Sequence, residues 1–163
     1  MIGALLSIPS LALSAAARER MHRRGFRDVT ESNSIVLRIL SAEGDRITEL
    51  ARKASMTKQS MGYLVEQVEG AGLVERADDP RDRRAVIIRR TPKGWSYNRA
   101  AAEEVADIQR EWSRLLGAAK MKQLKALLAE LVAKLGYEYG GSYLDVATRG
   151  SGRPSRPRSG RAT

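Results

Sequence analysis

Apolar residues return every three or four positions through most of this chain, with one interval in which they alternate. Helix is therefore the main expectation and a short pair of strands the exception. The first 17 residues are apolar or small, and they run on into Arg18, Glu19, Arg20, Arg23 and Arg24, which predicts one helix from the start of the chain to about residue 28. From Thr30, read as an N-cap, Val36, Leu37 and Leu40 recur at helical spacing until Gly44 and Asp45 break the pattern. A short third helix follows, with Thr48 as its cap and Leu50, Ala51 and Ala54 on one face, and Ser55-Met56 makes the turn. Thr57 caps a fourth helix whose inward face is Met61, Leu64, Val65 and Val68. Gly70-Ala71-Gly72 ends it, because glycine tolerates the left-handed conformation that helix exits use.

After Leu73 the period drops to about two. Residues 73–76 and 85–90 predict two antiparallel strands, joined by a polar loop over residues 77–84. Thr91-Pro92 then opens a helix with Val105, Ile108, Trp112 and Leu115 on one face. Past Gly117, the series Leu124, Leu127, Leu128, Leu131 and Leu135 marks another. The terminal helices carry more apolar face than the middle of the chain can cover, and two-fold pairing is the commonest remedy. The expected fold class is mainly α with a small β-hairpin wing (α+β). A dimerisation helix occupies residues 1–28, a helix-turn-helix with its wing 29–92, further dimerisation helices 93–138 and a disordered basic tail 139–163.

Composition narrows the partner. The 163 residues hold 29 Lys and Arg against 19 Asp and Glu, a formal net charge of +10. Such a balance favours a negatively charged partner, nucleic acid first. Cysteine is absent, which removes disulfides, thiol sensing and thiol nucleophiles and fits a cytoplasmic protein. The apolar start lacks the basic leader of a signal peptide and is shorter than a membrane span, so it reads as a packing helix and no membrane partner is expected.

A short helix followed by a hairpin with a basic tip has a definite physical use. Such a helix fits the major groove, and its first turn offers side chains to base edges and free N–H groups to phosphate. Here that turn is Thr57-Lys58-Gln59-Ser60, with Tyr63 one turn on. Gln59 can pair bidentately with adenine, Lys58 can reach guanine or phosphate, and the hydroxyls of Thr57 and Ser60 suit phosphate. Arg81, Arg83 and Arg84 crowd the hairpin tip, where a narrow minor groove favours arginine. Asp79 and Asp82 are expected to orient those guanidiniums.

These segments resemble the MarR (multiple-antibiotic-resistance regulator) family. The resemblance rests on Ile47-Thr48-Glu49-Leu50-Ala51, Thr57-Lys58-Gln59-Ser60-Met61, the run from Leu64 through Arg76, Asp79-Pro80-Arg81-Asp82-Arg83-Arg84-Ala85, and Thr91-Pro92-Lys93-Gly94. It implies a winged helix-turn-helix dimer that binds double-stranded DNA at palindromic operators, usually as a repressor, and is often released by a small aromatic or phenolic ligand. By position it also carries the family's DNA contacts onto Thr57, Lys58, Gln59, Ser60, Tyr63, Arg81, Arg83 and Arg84. Two departures stand out: Tyr63, beside Gly62, sits where many members have arginine, and Ser55 replaces a turn glycine.

Other chemistry finds little support in the residues. Trp95, Tyr97 and Trp112 read as packing aromatics, so no ligand-binding residue is assigned. His22 is the single histidine and reads as a surface residue, and without cysteine it cannot build the usual zinc site; neither metal nor cofactor is expected. No phosphate loop, nucleophile elbow or histidine-centred acid–base set appears, so the chain does not read as an enzyme. Two alternatives stay open: an architectural protein that coats DNA without preference, and a ligand-binding or adaptor module that has lost operator readout.

Overall fold

The computed structural model describes residues 1–80 and 82–136, with only the backbone of Arg83. The tail expected over 139–163, and Arg81 at the hairpin tip, lie outside the described residues. Among the described residues eight elements follow in order: α1 (Ile2–Arg23), α2 (Ser34–Ile39), α3 (Ile47–Lys53), α4 (Lys58–Gly70), β1 (Val74–Asp79), β2 (Asp82–Arg90), α5 (Pro92–Leu116) and α6 (Ala118–Lys134). The α+β class and the winged helix-turn-helix are thus as expected.

Helices α2, α3 and α4 and the root of the hairpin share one core. Val36, Leu37, Leu50, Met61, Val65 and Val68 are fully buried there, with Leu40, Leu73 and Ile88. Burial of each such side chain contributes about 1.5–3 kcal/mol, which fixes the small helices despite their length. All four residues expected on the inner face of α4 are buried.

Helix α2 is much shorter than its apolar spacing suggests, and its polar neighbours explain both ends. Thr30 and Asn33 exchange bonds before it begins. The Thr30 N–H donates to Asn33 Oδ1 at 2.8 Å and the Asn33 N–H to Thr30 Oγ1 at 3.2 Å, so the cap is Asn33 and not Thr30. At the far end the Arg90 guanidinium reaches across from β2. It donates to the carbonyls of Leu37 (2.8 Å), Leu40 (2.7 Å) and Ser41 (2.9 Å), which ends the helix after Ile39. Desolvation lowers the Arg90 pKa from its ordinary value, an effect opposed by Asp45.

Helix α3 starts at Ile47, with Arg46 as its cap in place of Thr48; the Glu49 carboxylate accepts the Arg46 N–H at 2.9 Å. Ser55 then turns the chain with φ of 54°, a left-handed conformation that costs a non-glycine residue about 1–2 kcal/mol.

The hairpin is longer than the alternation suggests. Register partners run from Val74↔Arg90 to Asp79↔Asp82, which leaves two residues at the tip where an eight-residue loop was expected. Alternation failed as a signal because the outer ladder projects into solvent and carries polar residues on both faces. Asp45 adds a bridge at the root: its N–H donates to Ile88 O at 3.0 Å and its carbonyl accepts the Ile88 N–H at 2.8 Å.

Helix α5 begins with Thr91 as cap and Pro92 at the first position, as expected. Its first turn presses on the exit of α4. Thr91 Oγ1 donates to Gly72 O at 2.7 Å, the Thr91 N–H to Leu73 O at 3.1 Å, and Lys93 Nζ to Ala71 O at 2.7 Å. A Cβ on Gly94 would lie 2.0 Å from the Leu73 carbonyl oxygen. Gly94→Ala is therefore expected to destabilise the protein by about 1–3 kcal/mol as the helix is forced outward, a loss readable as a lower urea midpoint at unchanged m.

Helix α1 lies along α5 and is held by ion pairs. Arg20 meets Glu111 at 2.7 Å, and Arg24 meets Glu103 at 2.8 Å and Glu104 at 2.6 Å. The Arg20 bond holds the Glu111 carboxyl below its usual range. His22 is half-buried, and its Nε2 lies 3.0 Å from Val29 O; it is a structural residue and not the surface one expected. Beyond these pairs, Ile2, Leu5, Ile8 and Leu11 on α1, Leu124, Leu127 and Leu131 on α6, and Leu135 at its C-cap are exposed. Among the described residues no helix is long and apolar enough to cross a membrane.

Candidate nucleic-acid interface

Helix α4 has one buried face and one free face, and its N-terminal turn belongs wholly to the free one. Thr57, Lys58, Gln59 and Ser60 are all exposed, and Tyr63 is 64% exposed. Thr57 is the cap the sequence predicts. Its backbone is extended (φ −70°, ψ 153°), Oγ1 accepts the Ser60 N–H at 3.1 Å, and its hydroxyl donates to Ser60 Oγ at 2.8 Å. Helix geometry leaves the N–H groups of Lys58 and Gln59 without an intrahelical acceptor, so they face outward at the positive end of the helix dipole. The turn can thus offer amide hydrogens, one ammonium, one carboxamide and two hydroxyls to a polyanion.

The wing supplies a second surface. Arg84 on β2 is exposed, and its N–H donates to Asp82 Oδ1 at 3.1 Å, which fixes the backbone beside the tip. Arg83 lies in the same strand, and Arg81 falls outside the described residues. The cap Thr57 and the α4 residues Lys58, Gln59, Ser60 and Tyr63 are therefore each exposed, whereas only Arg84 of the three wing arginines has a described side chain.

The two wing carboxylates, expected to orient the wing arginines, also meet a cation outside the hairpin; the Arg81 and Arg83 side chains lie outside the described residues. That cation is Arg46, at the cap of α3. Its Nε lies 2.9 Å and its Nη2 2.7 Å from Asp79 Oδ2, and Nη2 also meets Asp82 Oδ2 at 3.3 Å. Hydrogen bonding to Asp79 raises the Arg46 pKa above its ordinary value. Asp79 is buried, so a carboxylate there requires such compensation. Sequence reading missed Arg46 because it stands 33 residues before Asp79 and belongs to no local motif.

The aromatic residues divide. Tyr97 packs edge-to-face on Phe26, centroids 5.1 Å apart, and Trp95 covers the Arg90 guanidinium at 5.0 Å; both are packing contacts, as expected. Tyr97 also borders a cavity of about 110 Å³ between α1, α2 and α5, together with Val29, Ser34, Arg38 and Val105. Trp112 borders an apolar groove of about 260 Å³ between α5 and α6. Among the described residues no group of three or more acidic or histidine side chains is arranged to hold a metal ion.

Comparison with known proteins agrees with this geometry. The HTH-type transcriptional regulator FarR of Neisseria gonorrhoeae is 31% identical over 105 residues, covering 64% of this chain and 72% of that protein. Wild-type MarR from E. coli in its apo form superposes with a TM-score of 0.65 at 21% identity, over 81% of this chain and 97% of that one. A point mutant of S. aureus MepR bound to an oligodeoxyribonucleotide gives 0.58 at 20% identity, over 83% and 98%. The sequence pattern of the MarR family matches residues 27–85, the stretch that holds the helix-turn-helix and most of the wing. With that match, the FarR likeness and the shared fold together, the chain belongs to the MarR family of transcriptional regulators.

Proposed function

We propose that the chain is a DNA-binding transcriptional repressor that acts as a homodimer on a palindromic operator, by binding and not by catalysis, in the cytoplasm. The observation that carries this reading is the exposed turn Thr57–Ser60, held outward by a buried rear face and flanked by the wing that bears Arg84. Gln59 reads adenine, Lys58 reads guanine or phosphate, and Thr57, Ser60 and Tyr63 contact the backbone. Arg81, Arg83 and Arg84 belong to the minor-groove side. The exposed leucines and isoleucines of α1 and α6 support pairing, since a soluble monomer rarely leaves such faces bare. Two recognition helices would then enter grooves about 34 Å apart.

An effector fits the same reading. A small aromatic or phenolic molecule would enter the cavity beside Tyr97, which lies between the helix bearing the dimer face and α2 of the DNA-binding core. A ligand wedged there favours one relative placement of the two, and so shifts operator affinity by its difference in affinity for the two arrangements.

Selection from random duplexes at fixed salt tests the central claim. A regulator enriches a two-fold symmetric motif and prefers it to unrelated DNA by about a thousandfold or more, whereas a non-specific coat enriches none. Gln59→Ala is expected to cost about 1–3 kcal/mol on the selected site and to relax preference at one base pair per half-site, in titrations against single-base variants. Equal affinities for parent and variant at every position would remove Gln59 from the readout.

A further inference from the structure

A two-stranded hairpin attached at one point is free to swing, because a lone pair of strands has little stability of its own. This wing is braced at two points by consecutive residues. The Asp45 backbone bridges Ile88 at the root, and the Arg46 side chain meets Asp79 and Asp82, the register partners that flank the tip. Between the attachments lies a hollow of about 200 Å³, bordered by Glu43, Glu49, Pro80 and Ile87. The ion pairs of Arg46 with Asp79 and Asp82 span it. Arg46 cannot drift with the hairpin, since its own N–H is held by Glu49 at the start of α3. The second oxygen of Asp82 accepts the Arg84 N–H, so the brace continues into the backbone of an expected DNA contact.

Building on the DNA-binding reading above, we propose that Arg46 is the positioning residue of the wing. It clamps the two carboxylates beside the tip to the cap of α3 and thereby sets the angle between wing and recognition helix, so that Thr57–Ser60 and Arg84 meet adjacent grooves together. Arg46 acts through the wing and not by touching phosphate. Two fixed points define an angle, and removal of one leaves a hinge at Ile88.

The full-length protein provides both tests. In the absence of DNA, Arg46→Ala is expected to speed amide exchange across 75–79 and 82–86 at least tenfold, with the Met61–Val68 amides of α4 unchanged. On the selected operator, Arg84→Ala should weaken the parent about tenfold, as loss of a charge-assisted contact does, yet weaken the Arg46→Ala variant less than twofold. Asp79→Asn should lower affinity in the same way as Arg46→Ala. Should Arg46→Ala fail to fold, Asp82→Asn breaks the exposed arm of the clamp without stranding a buried charge, and the same two readouts apply. Unchanged wing exchange, an Arg84→Ala loss of equal size in both backgrounds, or affinity kept in Asp79→Asn would overturn the proposal, the last by marking Arg46 as a direct phosphate contact. A parent that prefers no duplex overturns the DNA-binding reading and, with it, this role on DNA, while the exchange result still decides whether Arg46 holds the wing.

Discussion

Replacement of Arg90 by alanine lowers the stability of the protein by about 3–5 kcal/mol, the largest loss expected from any single change in the DNA-binding core. The guanidinium satisfies three carbonyls at the end of α2, two through bonds that are themselves buried. An unmet buried acceptor costs about 1–3 kcal/mol, and water admitted to the vacated space recovers part of the sum. Trp95 loses its cationic partner as well. Arg90→Lys should recover only a minor share, because one ammonium cannot span carbonyls that a planar fork reaches from both sides. Urea denaturation at fixed protein concentration measures both, and a loss below about 1 kcal/mol for the alanine variant would show that these carbonyls find other donors.

The second large effect concerns assembly. Leu127 and Leu131 lie four residues apart on α6 and are 57% and 41% exposed, so glutamates there disturb little within one chain. If these leucines lie in a dimer interface, the pair Leu127→Glu and Leu131→Glu brings four carboxylates together in it and leaves a folded monomer. A half-site bound once forgoes the gain that linkage gives, and operator affinity is expected to fall by about 10²–10⁴-fold. Sedimentation or light scattering reads the mass, and a titration on the same operator reads the affinity. A double variant that remains dimeric with full affinity would place the interface elsewhere.

Much of the architecture was legible because local signals agreed with one another. The Thr57 cap, the four apolar positions of α4, the left-handed Gly72 after it and the Thr91-Pro92 start each proved to be what their residue types suggest. Three features escaped, two of them because their cause lies far away in sequence. Helix α2 is cut short by Arg90, about 50 residues on. Ladder pairing carries the hairpin through residues whose polarity suggests a loop, since strands that project into water need no apolar face. The carboxylates of the wing answer to Arg46, and no spacing rule links residues 46, 79 and 82. For the candidate interface, exposure of Thr57–Ser60 follows from the burial of the opposite face, which periodicity does reveal. The brace that holds the wing does not.

The close seat of α5 on the residues that follow α4 bears on how movement passes through the protein. Ala71, Gly72 and Leu73 each offer a carbonyl to the first turn of α5, and at Gly94 not even a methyl group separates the two backbones. A joint so tight has no play. Any tilt of the long helix, whether imposed by a neighbouring subunit or by a small molecule lodged against it, must swing the rear of α4 through the same arc rather than be absorbed as slack.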